Sequence, residues 1–191
     1  MDRTVFKLPE LVSEIFGFLG QYGMTQITAD PTFVRYESDR VFLNIYHGRS
    51  SFEIGAEIGL RKGAKAGKAY PIGNLIELAG PKSEAKYRKF AAAKPDAVRI
   101  GLAQLRDIIV DYAKPALTGD ESVFAELERV GNEWRKNFAD EVHARQVRPE
   151  AEAAFKAKNF DHAVRLYESI RESFLTPAEV KKLEYARKYR E

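Results

Sequence analysis

The sequence predicts an α+β fold: an N-terminal helix packed on a three- to four-stranded antiparallel meander, followed by a mainly helical C-terminal half. Three observations predict it. Between Thr32 and Leu60 apolar residues recur at every second position, the period of a half-buried strand. The breaks in that pattern are only a few residues long, enough for hairpin turns and too short for parallel crossovers. From about residue 95 onward the apolar period changes to three and four, the period of a helix face.

The elements follow in order. Leu8 to Tyr22 places Leu8, Leu11, Val12, Ile15, Phe18, Leu19 and Tyr22 on one helical stripe, with Pro9 in the first turn and Gly23 as the left-handed residue that ends it. Phe33–Glu37, Val41–Tyr46 and Ser51–Leu60 are the strands of the meander, joined through Ser38-Asp39-Arg40 and His47-Gly48-Arg49-Ser50. In the last of them Phe52, Ile54, Ala56, Ile58 and Leu60 share one face. The stretch 61–69 reads as a mobile basic loop, Tyr70-Pro71-Ile72 as a short edge strand, 74–79 as a helical turn and 83–93 as a short helix. Asp96–Tyr112 is helical, ended by Pro115. A long helix from the N-cap Asp120 to about Val147 then carries Val123, Leu127, Val130, Trp134, Phe138 and Val142 in line. Residues 1–94 are thus expected to form an α+β domain and residues 95–191 a helical region, either separate from it or packed with it as one unit.

In the last segment, from Pro149, the run Ala154-Phe155, Lys158-Asn159-Phe160, Ala163, Leu166-Tyr167, Ile170 and Pro177 resembles one repeat of a tetratricopeptide-type helical hairpin. Ala163 lets two antiparallel helices approach, and Phe160 and Tyr167 fill the space beside it. Glu150 and Ala151 depart from the usual Leu-Gly pair, and the match covers roughly a fifth of the chain. Thr176 and Glu179 form a capping box for a third helix. The resemblance implies contact with a protein partner and no chemistry. The order of helix, short antiparallel meander and helices is also similar to that of small bacterial immunity-type proteins.

Composition bounds the function classes. The chain has no cysteine, so it has neither a disulfide framework nor a thiolate nucleophile, which fits a reducing cytoplasm. The opening residues lack the apolar run of a secretion signal, and no stretch approaches the ~18 apolar residues of a membrane span. The net charge of +3 is uneven: residues 61–94 carry a local +7 while the rest of the chain carries −4.

Enzymatic motifs fail on spacing. Gly63-Ala64-Lys65-Ala66-Gly67-Lys68-Ala69 follows a strand as a phosphate loop does, yet only three residues separate its glycines and Ala69 supplies no magnesium-binding hydroxyl. Glu53 and Glu57 share a strand face, but at ~3.3 Å per residue they stand about 13 Å apart, beyond the reach of a glycosidase pair. The three histidines, His47, His143 and His162, lack metal-ligand spacing and read as surface residues. The expectation is a non-enzymatic protein-interaction module, of inhibitor or immunity type, without cofactor or metal.

Its site is expected on the outer face of the meander, the alternative being that the C-terminal helices cover this face and make Phe42 part of a second core. Val41, Leu43 and Ile45 belong to the core, so Phe42, Asn44 and Tyr46 point outward beside Glu53, Gly55 and Glu57. Gly55 and Gly59 leave room for a ring or a partner backbone to lie on the sheet. Arg35, Asn44, Tyr46, Glu53 and Glu57 are the candidate contact residues for a protein partner. The alternative is nucleic-acid or anion binding through the basic segment 61–94, with Lys62, Lys65, Lys68 and Arg88 on phosphates.

Overall fold

Two-residue periodicity becomes a twisted antiparallel sheet in the computed structural model, which describes residues 2–80 and 90–190. The strands are β1 (Thr25–Asp30), β2 (Phe33–Glu37), β3 (Val41–His47), β4 (Glu53–Leu60), β5 (Ala69–Pro71) and β6 (Phe90–Ala91). β1 to β5 lie side by side in chain order, and β6 pairs with β4 at Glu53 and Ile54, further along the edge that β5 occupies. The register places Val34 against Ile45, and Leu43 against Ile58, so the apolar residues of three strands share the inner face.

The helix cover of that face is larger than the N-terminal helix alone. The helices of this part are α1 (Leu8–Ile15), α2 (Ile72–Leu78), α3 (Pro95–Tyr112) and α4 (Lys114–Leu117), with α5 beginning at Glu121. Leu8 and Val12 of α1, Leu102 and Ile109 of α3, Leu75 of α2, and Phe124 and Leu127 of α5 all enter one core with Val34, Leu43, Ile45 and Ile58. Each such side chain, fully buried, contributes about 1.5–3 kcal/mol. Gly101 lets α3 come close to the sheet: a Cβ there would strike Phe90 and Ile54.

Several boundaries differ from the sequence expectation. The first helix ends at Ile15 and continues as a 3₁₀ segment over Gly17–Tyr22, where two glycines weaken α-helical propensity; Gly23 ends it at φ +68° as expected. β1 was not anticipated. Every side chain from Thr25 to Ala29 is exposed, so no alternation marks it, and a bulge between Gln26 and Thr28 breaks its register. Of the helix expected at 83–93, residues 83–89 lie outside the described residues, and Phe90–Ala91 are strand. The loop at 61–69 folds back on itself: the Gly67 N–H donates to the Leu60 carbonyl (2.8 Å) and the Ala66 N–H to that of Gly63 (3.1 Å).

Packing divides the chain into two units, residues 1–131 and 132–191, and the boundary expected at residue 94 lies within the first. Helix α5 (Glu121–Lys156) runs through Pro149, where the sequence reading began a new segment. The proline removes one backbone hydrogen bond. Ala144, Ala151 and Ala154, on either side of it, are buried in one apolar cluster that holds the helix in place. In the second unit these alanines meet Ala163 and Tyr167 of α6 (Phe160–Ser169) and Leu183 and Ala186 of α7 (Pro177–Tyr189). The capping box at Thr176 and Glu179 is formed, and Arg148 donates to both Glu179 (2.9 Å) and the Phe174 carbonyl. The Tyr167 hydroxyl donates to Glu152 (3.3 Å); burial, reinforced by the Glu152 carboxylate, pushes its pKa up to about 12.

Candidate recognition face of the sheet

The sheet register brings three of the five predicted contact residues onto neighbouring strands in one row. Arg35 of β2 stands opposite Asn44 of β3, and Asn44 opposite Glu57 of β4. A second row sets Phe33, Tyr46 and Gly55 side by side, and a third sets Glu37, Phe42 and Gly59. Glu53 lies farther along β4, paired with Ala91 of β6. The same alternation that drives Leu43 and Ile45 inward therefore assembles Arg35, Asn44, Tyr46 and Glu57 on the opposite face.

The glycines shape this face. A Cβ on Gly55 would run into the ring of Tyr46, and one on Gly59 into the ring of Phe42 and the Lys68 carbonyl. Both rings therefore lie down across β4. The Arg35 guanidinium then covers Phe42, its Cζ 4.1 Å from the ring centroid, and Phe42 is only 2% exposed although it points away from the inner core. A cation over a ring at this distance contributes about 0.5–2 kcal/mol.

Polar contacts fix the rest. Arg35 Nε donates to Glu37 Oε1 (2.7 Å) and Nη1 to Asn44 Oδ1 (3.1 Å). The other Glu37 oxygen receives Arg61 Nε at 3.0 Å, and Arg61 also donates to the Ser38 carbonyl at 2.7 Å. Asn44, at 8% exposure, is thereby buried beneath Arg35 rather than presented. Arg35, Tyr46, Glu53 and Glu57 are half-exposed and form the accessible part of the face. Sequence reasoning missed Glu37 and counted Arg61 only with the basic segment 61–94, not with this face. Glu37 was legible, since it lies two residues from Arg35 and so on the same face; Arg61 was not, because it lies beyond the strand end.

The histidine at the hairpin tip corrects the sequence reading. His47 is fully buried, with Nε2–H donating to the Ala92 carbonyl at 2.9 Å and Nδ1 left without a partner. Phe6 meets its ring edge-on at 4.8 Å and Phe52 lies 5.9 Å away. Arg3 donates to the backbone carbonyls of His47 (3.2 Å) and Gly48 (3.0 Å), with its guanidinium over Phe6 and Phe52. Burial lowers the His47 pKa, the Ala92 hydrogen bond opposes that, and the nearby Arg3 charge adds to the lowering. The odd-numbered register of β3 turns position 47 inward; the turn composition concealed this.

The basic segment is also different from its composition. Lys65 and Lys68 both bind Glu128, at 3.0 and 2.5 Å, and the Lys68 hydrogen bond, then that of Lys65, lowers the Glu128 pKa. Lys62 is exposed, and Arg88 lies outside the described residues. A cavity of about 590 Å³ opens at the β2–β3 turn among Tyr22, Ile27, Glu37, Arg40, Arg61 and Leu117, with Arg61 committed to Glu37. Among the described residues no three acids or histidines gather as a metal site, and no helix is long and apolar enough to cross a membrane. Comparison with protein-family models, curated proteins and solved structures gives no match.

Proposed function

We propose that the chain is a protein-interaction module that recognises a protein partner through the outer face of its sheet, without chemistry of its own. The observation that supports this reading is the preset order of the face. Arg35 is held by Glu37, Asn44 and the Phe42 ring, and Tyr46 lies flat on Gly55. A partner meeting such a face loses little further side-chain entropy, which favours affinity. Glu57 stands in the same row as Arg35 and Asn44, so a basic and an acidic group flank a buried amide. The hairpin of the second unit, with its tetratricopeptide-like run, fits the same class of role.

A photo-crosslinking residue placed at Glu57 tests the reading. In cells of the native host it is expected to trap one discrete protein product, absent when the same residue replaces the exposed Arg106. Arg35→Glu in the Glu57 crosslinking chain is expected to abolish the product. If Glu57 traps nothing beyond the Arg106 control, or the product survives Arg35→Glu, the outer face is not the site.

A further inference from the structure

We propose that the outer face of the sheet ends in a pocket for an acidic side chain of the partner, held by Arg49 beside the rings of Phe33 and Tyr46. The inference rests on the outer face being the binding face. It adds what the partner presents there: an aspartate or glutamate next to an apolar residue. The row that sets Phe33 beside Tyr46 lies at the end of the sheet where two turns meet, the His47 N–H donating to the Thr32 carbonyl at 2.9 Å. A cavity of about 350 Å³ opens there, lined by Asp30, Thr32, Phe33, Tyr46, Gly48 and Arg49. The two rings stand on adjacent strands and are half-buried, so they give the cavity an apolar wall.

The charges of this pocket are one-sided. Arg49 is exposed and has no hydrogen bond or ion pair among the described residues. Arg35 and Arg61, by contrast, are both committed to Glu37. Arg3 adds a second positive charge from behind: it donates to the carbonyls of Gly48 (3.0 Å) and His47 (3.2 Å), and no carboxylate among the described residues reaches it. Asp30 is the acid of the lining, and its Oδ1 accepts from both the N–H (2.7 Å) and the hydroxyl (2.9 Å) of Thr32. Two guanidinium charges against one carboxylate leave a surplus of one positive charge. A lone unpaired arginine on a surface is ordinary. One on the rim of a cavity with two rings suits a carboxylate carried on an apolar stem, because the guanidinium fork matches the carboxylate and the rings take the stem. The rings also displace water from the pair, which strengthens it. A lysine in the same place would meet two arginines, with only the already engaged Asp30 in its favour.

Selection from a random peptide library displayed on phage, run on the full chain, tests the charge of the occupant. The peptides are fused through their C-termini, so every carboxylate they offer is a side chain. Enriched peptides are expected to carry Asp or Glu next to an apolar residue, above the frequency of the input library. In fluorescence titrations of the synthetic, C-terminally amidated peptide, Arg49→Glu should weaken binding at least about tenfold. Replacing the peptide's acid by lysine should weaken binding to the wild type alike and restore it to Arg49→Glu. Lys62→Glu, on the basic segment, should change it by less than about twofold. The proposal is overturned if no peptide is enriched, if the enriched peptides lack acids, or if the exchanged charges do not restore binding. Peptides that ignore Arg49 but are lost with Arg35→Glu sink this pocket and keep the outer face as the site; peptides that ignore both sink the two together.

Discussion

At the scale of single residues, the environment of His47 ties the stability of the fold to pH. It is buried, holds the Ala92 carbonyl through Nε2–H, and has Arg3 beside it. Its folded pKa lies below the ordinary histidine value of 6.5. Above that value neither folded nor unfolded chain binds the proton, and the residue costs nothing. As pH falls below about 6.5 the unfolded chain takes up the proton first, so stability is lost from there down to the folded pKa. Thermal unfolding between pH 7.5 and 5 is therefore expected to show a falling midpoint in the wild type, with a smaller fall in His47→Gln, which keeps an N–H for Ala92. Equal slopes in the two chains would show that the loss arises elsewhere. The identity of this residue as a buried one was hidden in the sequence, because turn-rich neighbours (Gly48, Arg49, Ser50) outweighed the inward parity of position 47.

At the scale of elements, the long strand β4 shows how closely packing follows from alternation and where it departs from it. Its inner residues and both glycines were legible from period alone, as were β2, β3 and the helix over Pro95–Tyr112. β1 was not, since an edge strand with every side chain from Thr25 to Ala29 exposed carries no amphipathic signal. The reach of α5 through Pro149 was likewise obscured, because proline is read locally while the buried alanines that sustain the helix act through distant partners. The two glycines of β4 differ in what they accommodate. A methyl on Gly55 meets only the ring of Tyr46, which can swing outward; one on Gly59 meets the Lys68 carbonyl as well as Phe42, and the backbone cannot swing. Gly59→Ala should therefore destabilise by about 1–3 kcal/mol, the range for overpacking, and Gly55→Ala by less. Urea denaturation of the two variants checks the order; equal costs, or the reverse, would mean that β5 yields more easily than the Tyr46 ring.

At the scale of the whole molecule, the distribution of charge distinguishes the sheet face from the basic segment. The candidate face was legible as a set of residues, because strand parity alone collects Arg35, Asn44, Tyr46 and Glu57. Their degree of exposure was not, because it depends on rings and ion pairs between strands. For the basic segment the reverse holds: the residues are obvious in composition, and only three dimensions reveal that Lys65 and Lys68 converge on Glu128. Phosphates would have to displace that carboxylate before both lysines could serve them, and counterion release falls with each lysine already neutralised. Titration of the chain into labelled single- and double-stranded oligonucleotides at about 20 mM salt is expected to give no binding below roughly 10 µM. Glu128→Gln frees both ammonium groups, so it should raise whatever weak affinity exists and steepen its fall with added salt. Tight binding by the wild type, with a steep salt dependence that Glu128→Gln does not change, would favour the basic segment over the outer face of the sheet as the binding surface.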